Sequence, residues 1–173
     1  YLEVYNDSYF KPKDFANIQQ LMAGGKEQEA GKIGAFGTGF ISVYHLTDTP
    51  HLHSMGNHII FDPRCDHLPK YNSSIQKETV FRFPWRTEKS AISKDIGGKL
   101  WRTAEIEAVK RKLGPVIYRL ILFLRKVRTI EVYEGNDDLL FRVIRRHGKT
   151  RSIGEAQCTF VTIEYTEGVN KPI

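Results

Sequence analysis

The hydrophobic and polar pattern of the first half of the chain contains three short runs rich in apolar residues, and the first of them alternates with a period of two. Each run ends in turn residues or proline, so each is predicted to be a β-strand. The three runs are residues 2–5, 58–62 and 79–84. A helical period begins after Pro12. The apolar face of that predicted helix consists of Phe15, Ile18, Leu21 and Met22.

The pattern changes near residue 91, and the rest of the chain is predicted to be an α+β extension. Apolar spacing predicts two helices, 99–113 and 116–127, which Gly114-Pro115 separates because proline interrupts a helix. Three strand-like runs then predict an antiparallel meander. These runs are residues 129–133, 139–144 and 159–165, with turns at 135–137 and 147–149. The predicted domains are therefore residues 1–90 and 91–173.

Three glycines with the spacing G-x-x-G-x-G follow the first helix. They are Gly34, Gly37 and Gly39, with Phe36 and Phe40 interleaved. Glycine lets a backbone approach a ligand closely, and a helix that follows directs free N–H groups at an anion. We therefore predict a phosphate cradle rather than a flexible surface loop, in which the apolar residues would have no role. The pattern is neither a dinucleotide fingerprint nor a P-loop.

Composition narrows the class of protein only modestly. The net charge of +6 permits a nucleic-acid or acidic partner without requiring one. Two cysteines in no recognisable pattern are typical of a reducing compartment, so we expect a cytoplasmic location. The most apolar stretch, residues 116–124, contains Arg119 and is too short to cross a bilayer, so no membrane association is expected.

Five of the six histidines lie between residues 45 and 67, near Cys65 and Asp66. Their spacing matches no regular ligand pattern such as Cys-x-x-Cys or His-x-x-x-His. They are predicted to be surface and loop residues, and no metal site is expected. The five are His45, His51, His53, His58 and His67.

The order of these segments resembles that of the GHKL ATPases, the superfamily of DNA gyrase, heat-shock chaperones of the ninety-kilodalton class, histidine kinases and MutL. Within it, the chain is most similar to the chaperone-like ATP-binding module of sacsin and its relatives. The similarity spans residues 1–90 and rests on I-G-A-F-G-T-G-F-I-S-V-Y-H-L-T-D-T-P from Ile33, I-I-F-D-P from Ile59 and T-V-F-R-F-P-W-R-T from Thr79. It implies an α/β two-layer sandwich, a mixed sheet covered on one side by helices (the Bergerat-type ATP-binding fold), ahead of the α+β extension.

The resemblance also implies which residues bind nucleotide. Asn6 or Asp7 would accept a hydrogen bond from the adenine amino group, and Thr79 would support the adenine end. The glycine motif would hold the phosphates, and residues 26–31 would begin a lid that closes over the nucleotide. The full predicted set is Asn6, Asp7, Lys32, Gly34, Phe36, Gly37, Thr38, Gly39, Phe40 and Thr79.

Hydrolysis requires residues that the family carries on a long helix before the acidic turn, a glutamate that activates water and an asparagine that binds Mg²⁺. Only five residues precede Asn6, so we expect the chain to be part of something longer and to contain no catalytic residue. ATP is the expected ligand, with its Mg²⁺ ligand supplied from outside the chain. The predicted function is an ATP-binding module of a chaperone-like or remodelling ATPase, with protein clients or neighbouring domains as partners.

A basic stretch supports an alternative function. Residues 86–128 contain twelve Lys and Arg against four Asp and Glu, including Lys110, Arg111 and Lys112. Such a stretch binds nucleic acid in some proteins, but it is more often a solvated face or a contact with an acidic neighbour. The alternative is a degenerate, non-hydrolysing scaffold that binds protein or nucleic acid. Arg82 is expected to form a structural ion pair or to reach toward the nucleotide.

Overall fold

In a computed structural model of the chain, the described residues are 1–22, 38–65, 69–96, 98–124, 126–135, 138–154 and 156–168. They form a mixed α/β protein with two antiparallel sheets and few helices. They divide into two compact units, Tyr1–Arg102 and Thr103–Ile173. The first unit therefore extends past residue 90, where the predicted ATP-binding domain ends.

The first unit contains a five-stranded sheet with the order β1-β5-β2-β3-β4. Its strands are β1 (Leu2–Asn6), β2 (His51–Ser54), β3 (Asn57–Ile60), β4 (Lys70–Asn72) and β5 (Thr79–Phe83). The strands predicted at 2–5, 58–62 and 79–84 are confirmed as β1, β3 and β5, whereas β2 and β4 are additional.

The prediction of a mixed sheet is wrong for the described strands, because each of their pairings is antiparallel. Strands β2 and β3 are joined by a two-residue turn in which Met55 and Gly56 both have positive φ, 47° and 71°. Two-residue turns of this kind connect antiparallel strands, and a parallel pair would need a long crossover instead.

The described residues of this unit also form three short helices, α1 (Pro12–Met22), α2 (Thr38–Ile41) and α3 (Ser93–Ile96), and a 3-10 turn at Ser42–His45 extends α2. The predicted helix after Pro12 is confirmed as α1. Its Ile18 packs with Leu52, Ile59 and Phe61 in the core of the unit. Four partly buried rings complete the cluster, Phe10, Phe15, Phe40 and Phe81.

In the second unit, the described residues form one helix and a three-stranded meander in the order β6-β7-β8, which confirms the predicted meander. Its elements are α4 (Thr103–Leu120), β6 (Thr129–Glu134), β7 (Asp138–Ile153) and β8 (Ala156–Glu167). The predicted turn at 147–149 is wrong, since β7 continues through it with a change of register. The chain reverses near Gly154 instead, where φ is +61°.

The prediction of two helices divided at Gly114-Pro115 is also wrong, because α4 continues through both residues. Apolar side chains on either side of the proline, Leu113 and Ile117, pack on the same cluster as Ile121. That packing spans the predicted break and outweighs the helix-breaking preference of proline. In the described part of the chain, no helix combines the length and the apolar character needed to cross a membrane.

Candidate functional site

Three polar residues from three strands meet at one end of the first sheet. Thr79, the first residue of β5, is the register partner of Asn6 at the end of β1 and of Ser54 at the end of β2. Directly opposed residues of an antiparallel pair project to the same face of the sheet. Asn6, Ser54 and Thr79 therefore share one face, which is also the face of the buried Leu52 because side chains repeat every two residues.

The Ser54 hydroxyl organises this end of the sheet. It donates to the Glu78 carbonyl oxygen at 2.9 Å, accepts from the Phe10 N–H at 3.0 Å and lies 3.0 Å from the Thr79 hydroxyl. Serine has one hydroxyl proton, which it donates in the hydrogen bond to the Glu78 carbonyl oxygen. Thr79 is therefore the donor in the hydrogen bond between the two hydroxyls. The lone pairs of the buried Thr79 Oγ1 remain available as acceptors.

Ser54 is absent from the site predicted from the sequence. It lies on β2, a strand that the sequence patterns do not predict. A usable signal is its position directly before the Met55-Gly56 turn, where a small polar residue follows the apolar Leu52 by two.

Asn6 and Asp7 are both exposed at the end of β1. The Asn6 Oδ1 atom accepts from the Ser8 N–H at 3.0 Å, which is an Asx turn. Of the two predicted adenine contacts, Asn6 is the register partner of Thr79, whereas Asp7 follows the strand. The register therefore brings Asn6, rather than Asp7, beside Thr79.

Only the end of the glycine motif lies within the described residues. Thr38 begins α2, Gly39 is exposed, and the Phe40 ring packs edge-to-face on Phe61 with ring centroids 4.8 Å apart. The centroid of the same ring lies 6.0 Å from that of the Phe81 ring, and Phe81 is two residues after Thr79 on β5. Phe40 thus joins the end of the motif to the sheet face of Thr79. The predicted residues that lie outside the described ones are Lys32, Gly34, Phe36 and Gly37, together with the lid at 26–31.

Arg86 stabilises the segment that follows the glycine motif. Its side chain is 1% exposed, forms an ion pair with Asp48, and donates to three backbone carbonyl oxygens. Ser90 donates to the other Asp48 carboxylate oxygen, so the segment around Ser90 is bonded to the same part of the first unit. The three carbonyls belong to Tyr44 at 2.6 Å, Thr47 at 3.2 Å and Lys99 at 3.2 Å.

The predicted ion pair of Arg82 is confirmed. Its guanidinium pairs with the Glu3 carboxylate on β1, its register partner, and lies 4.7 Å from the centroid of the Tyr1 ring. Because residues 80 and 82 alternate with residues 79 and 81, Arg82 projects to the face opposite Thr79.

Three of the histidines predicted to be separate surface residues lie together on that opposite face. His53 is the register partner of His58, and His51 is two residues from His53 on β2. His58 Nε2 lies 3.1 Å from His51 Nδ1, and the His53 and His58 rings are stacked with centroids 4.0 Å apart. Burial lowers the pKa of His51 to about 4 and also lowers those of His53 and His58, so the three imidazoles are neutral at pH 7.

The basic residues predicted as a nucleic-acid contact lie on α4 in the second unit. Lys110 contacts the carboxylates of Glu107 and Glu134, and its hydrogen bond with Glu107 raises its pKa. Arg111 and Lys112 are exposed. Two glutamates therefore offset the charge of Lys110, the first residue of this group.

Comparison with known proteins gives two matches. Residues 1–78 match the family model of the Sacsin domain. The chain is also 28% identical to human sacsin over 169 aligned positions, which cover 73% of the chain and 4% of the human protein. The chain therefore spans only a small part of the curated relative that it matches. The two matches relate this chain to sacsin, and the part that resembles the Sacsin domain includes Asn6, Ser54 and the glycine motif.

Proposed function

We propose that the chain is a nucleotide-binding module of a sacsin-like, chaperone-related protein, and that its ligand is ATP. The observation that carries the proposal is the buried Ser54–Thr79 hydroxyl pair, with Asn6 beside it in register. Because the Thr79 hydroxyl donates to Ser54, its oxygen lone pairs can accept a hydrogen bond from a ligand that presents N–H groups. Phe40, at the end of the glycine motif, packs on the same sheet face.

In this proposal the adenine ring lies against the end of the sheet that carries Thr79. The free lone pairs of Thr79 Oγ1 accept a hydrogen bond from the adenine amino group or from a bound water. Asn6 contributes its side-chain amide, whose Oδ1 has a second lone pair beyond the one that Ser8 uses. Asp7 remains the second candidate for the amino-group contact.

The phosphates would be held by the glycine motif, through Lys32 and the backbone around Gly34, Gly37 and Gly39. Glycines at this density permit the close backbone approach that a triphosphate requires. Mg²⁺ would arrive with the phosphates, as it does in many nucleotide sites, and we assign none of its ligands to this chain. Closure of residues 26–31 over the nucleotide, coupled to hydrolysis in the whole protein, is part of the same proposal.

Calorimetric titration of the protein with ATP and Mg²⁺ tests the proposal, with Thr79→Val as the central variant. Valine keeps the shape of threonine and removes only the hydroxyl, so we expect binding to weaken about tenfold, the worth of one buried hydrogen bond. Thr87→Val is the control, because Thr87 is exposed and lies outside the site. Equal affinity of Thr79→Val and wild type, with both folded by circular dichroism, would refute the adenine assignment.

A degenerate scaffold that binds protein or nucleic acid is the second candidate. It is favoured by the amide of Asn6 at a position where a carboxylate would be the stronger acceptor, and by the use of its Oδ1 in the Asx turn. An electrophoretic mobility assay with single-stranded RNA at increasing salt distinguishes the two functions. Binding that disappears when Lys110, Arg111 and Lys112 are replaced by glutamine supports the scaffold, provided that ATP does not bind.

A further inference from the structure

We propose that His51, His53 and His58 form a binding site for a divalent transition-metal ion, with Zn²⁺ as the expected ion. The site lies on the sheet face opposite Ser54 and Thr79, and it is independent of the proposed nucleotide site. Neutral imidazole is the protein ligand best suited to Zn²⁺, Cu²⁺ and Ni²⁺.

Strand geometry brings the three rings together. His51 and His53 alternate with Leu52 and Ser54, so they project from one face of β2, and the Met55-Gly56 turn places His58 directly across from His53. One ring nitrogen from each histidine can be chosen such that all three lie within 4.8 Å of one another. Among the described residues, these three are the group whose ligand atoms converge in this way.

The spacing of His51 and His58 already fits a zinc ion. Zinc binds imidazole nitrogen at about 2.0–2.1 Å, so two ligands at a tetrahedral angle lie about 3.3 Å apart. His58 Nε2 and His51 Nδ1 are 3.1 Å apart and share a hydrogen bond, which bonds to the ion would replace. The ligand atoms of all three histidines lie within 4.8 Å of one another, so binding one ion requires only small side-chain adjustments.

His53 contains a buried polar atom without a hydrogen-bond partner among the described residues. This atom is Nε2, whereas Nδ1 lies 3.2 Å from Ser73 Oγ. A buried polar atom without a partner is destabilising, and a metal bond would satisfy it. Metal-ligating histidines commonly donate their other ring N–H to an acceptor, and Ser73 is positioned to accept that N–H and fix the ring.

Ser73 is itself held in place. Its Oγ accepts from the Ile75 N–H at 3.2 Å, and its backbone N–H donates to the Gly56 carbonyl oxygen at 2.8 Å. The loop after β4 is thus bonded to the turn between β2 and β3. The orienting group and the ligands therefore belong to one hydrogen-bonded unit.

Charge at the site is balanced. Arg82 is the register partner of His51, and a guanidinium would repel a divalent cation, but Glu3 pairs with it and offsets its charge. Three protein ligands leave one position of a tetrahedral ion for water.

The test is titration of the metal-free protein with ZnCl₂ against a fluorescent zinc chelator, followed by Co²⁺ absorption spectroscopy. We expect one ion per chain, visible Co²⁺ bands of a tetrahedral complex, and a rise in the melting temperature with Zn²⁺. His58→Gln should weaken Zn²⁺ binding at least tenfold. His45→Gln is the matched control, because His45 is exposed and lies outside the cluster, and it should bind like wild type.

Ser73→Ala separates a positioning role from a structural one. It leaves all three imidazoles in place and removes the acceptor of the His53 N–H and of the Ile75 N–H, so we expect about tenfold weaker Zn²⁺ binding with only a small decrease in the melting temperature of the metal-free protein. The proposal is overturned if wild type shows no saturable binding, if His58→Gln binds as tightly as wild type, or if His45→Gln loses the ion. Absence of Zn²⁺ binding would leave the ATP-binding proposal unaffected, and absence of ATP binding would leave the Zn²⁺-binding proposal unaffected.

Discussion

Arg86 illustrates how burial gives a charged residue a structural role. Its guanidinium lies in the interior of the first unit, where it pairs with Asp48 and donates to three carbonyl oxygens at the end of the 3-10 turn and in the 99–101 region. Removing one partner of a buried ion pair leaves the other charge without compensation in a low-dielectric environment. Arg86 therefore stabilises the segment that follows the glycine motif.

We predict that Arg86→Met lowers the free energy of unfolding by about 3–5 kcal/mol, because Asp48 loses its buried cation. Urea denaturation followed by circular dichroism measures the change. Arg64→Met is the control in the same unit, since Arg64 pairs with Asp62 at the surface, where such pairs contribute about 0–1 kcal/mol. Equal losses for the two variants would contradict the role assigned to Arg86.

The three histidines of the metal-site proposal also predict a pH dependence in the presence of a chelator. His51 faces Arg82, His53 and His58, with Glu3 and Tyr71 also on this face, and burial lowers its pKa to about 4. The unfolded chain takes up a proton near pH 6.5, whereas folded His51 does not until about pH 4. The free energy of unfolding should therefore fall as the pH decreases from about 6.5 to 4.

Chemical denaturation at a series of pH values measures this loss. His51→Gln should show a shallower decline over the same interval, because it has no imidazole whose pKa differs between the folded and unfolded states. His45→Gln should follow wild type. A decline of the same steepness in His51→Gln would assign the acid sensitivity to other groups.

At the scale of elements, α4 is a helix with an internal proline. Pro115 is exposed, whereas the preceding Gly114 is buried, and a Cβ atom added at Gly114 would lie 2.9 Å from the Tyr165 hydroxyl oxygen. Proline in a helix interior removes one backbone hydrogen bond. Packing of Leu113 and Ile117 on the strands maintains the helix on both sides of it.

We predict that Pro115→Ala stabilises the second unit by about 1–2 kcal/mol. The gain from helix propensity, up to about 3 kcal/mol, is partly offset by the greater freedom of the unfolded chain. Gly114→Ala is the matched comparison, since it also improves helix propensity but requires the Tyr165 ring to move, and it should give little or no gain. Thermal denaturation of both variants measures the difference, and a larger gain from Gly114→Ala would contradict the packing described.

At the scale of the whole molecule, the chain divides into two compact units, and the proposed nucleotide site belongs to the first. The Sacsin-domain match, residues 1–78, ends one residue before Thr79. The candidate contacts at Asn6, Ser54 and Thr79 are joined through strand register rather than through proximity in sequence.

We predict that ATP with Mg²⁺ protects the proposed lid from trypsin. Cleavage after Lys26 and Lys32 should slow severalfold at saturating ATP, because closure would shield the peptide bonds around residues 26–31. Mass spectrometry of timed digests measures the rates at each site. Thr79→Val at the same ATP concentration should show less protection, and identical rates with and without ATP in wild type would refute lid closure.

Local patterns in the sequence suffice for β1, β3, β5, α1 and the meander, because a period of two or of 3.6 is a property of a few neighbouring residues. They fail where packing between distant segments decides the outcome. Pro115 has a strong local preference against a helix, yet Leu113 and Ile117 hold it in one. Residues 147–149 have the composition of a turn, yet β7 continues through them while it is paired with β8.

The sequence by itself determined the alternation of these elements, the glycine motif and the resemblance to the Sacsin domain, since each is encoded by residues close together in the chain. Only the tertiary structure decided that Ser54 meets Thr79, that Arg86 is buried against Asp48, and that His51, His53 and His58 converge. The physical reason is the same in all three cases. Strand register and burial depend on the free energy of packing residues that are far apart in sequence, and a local sequence pattern does not encode that free energy.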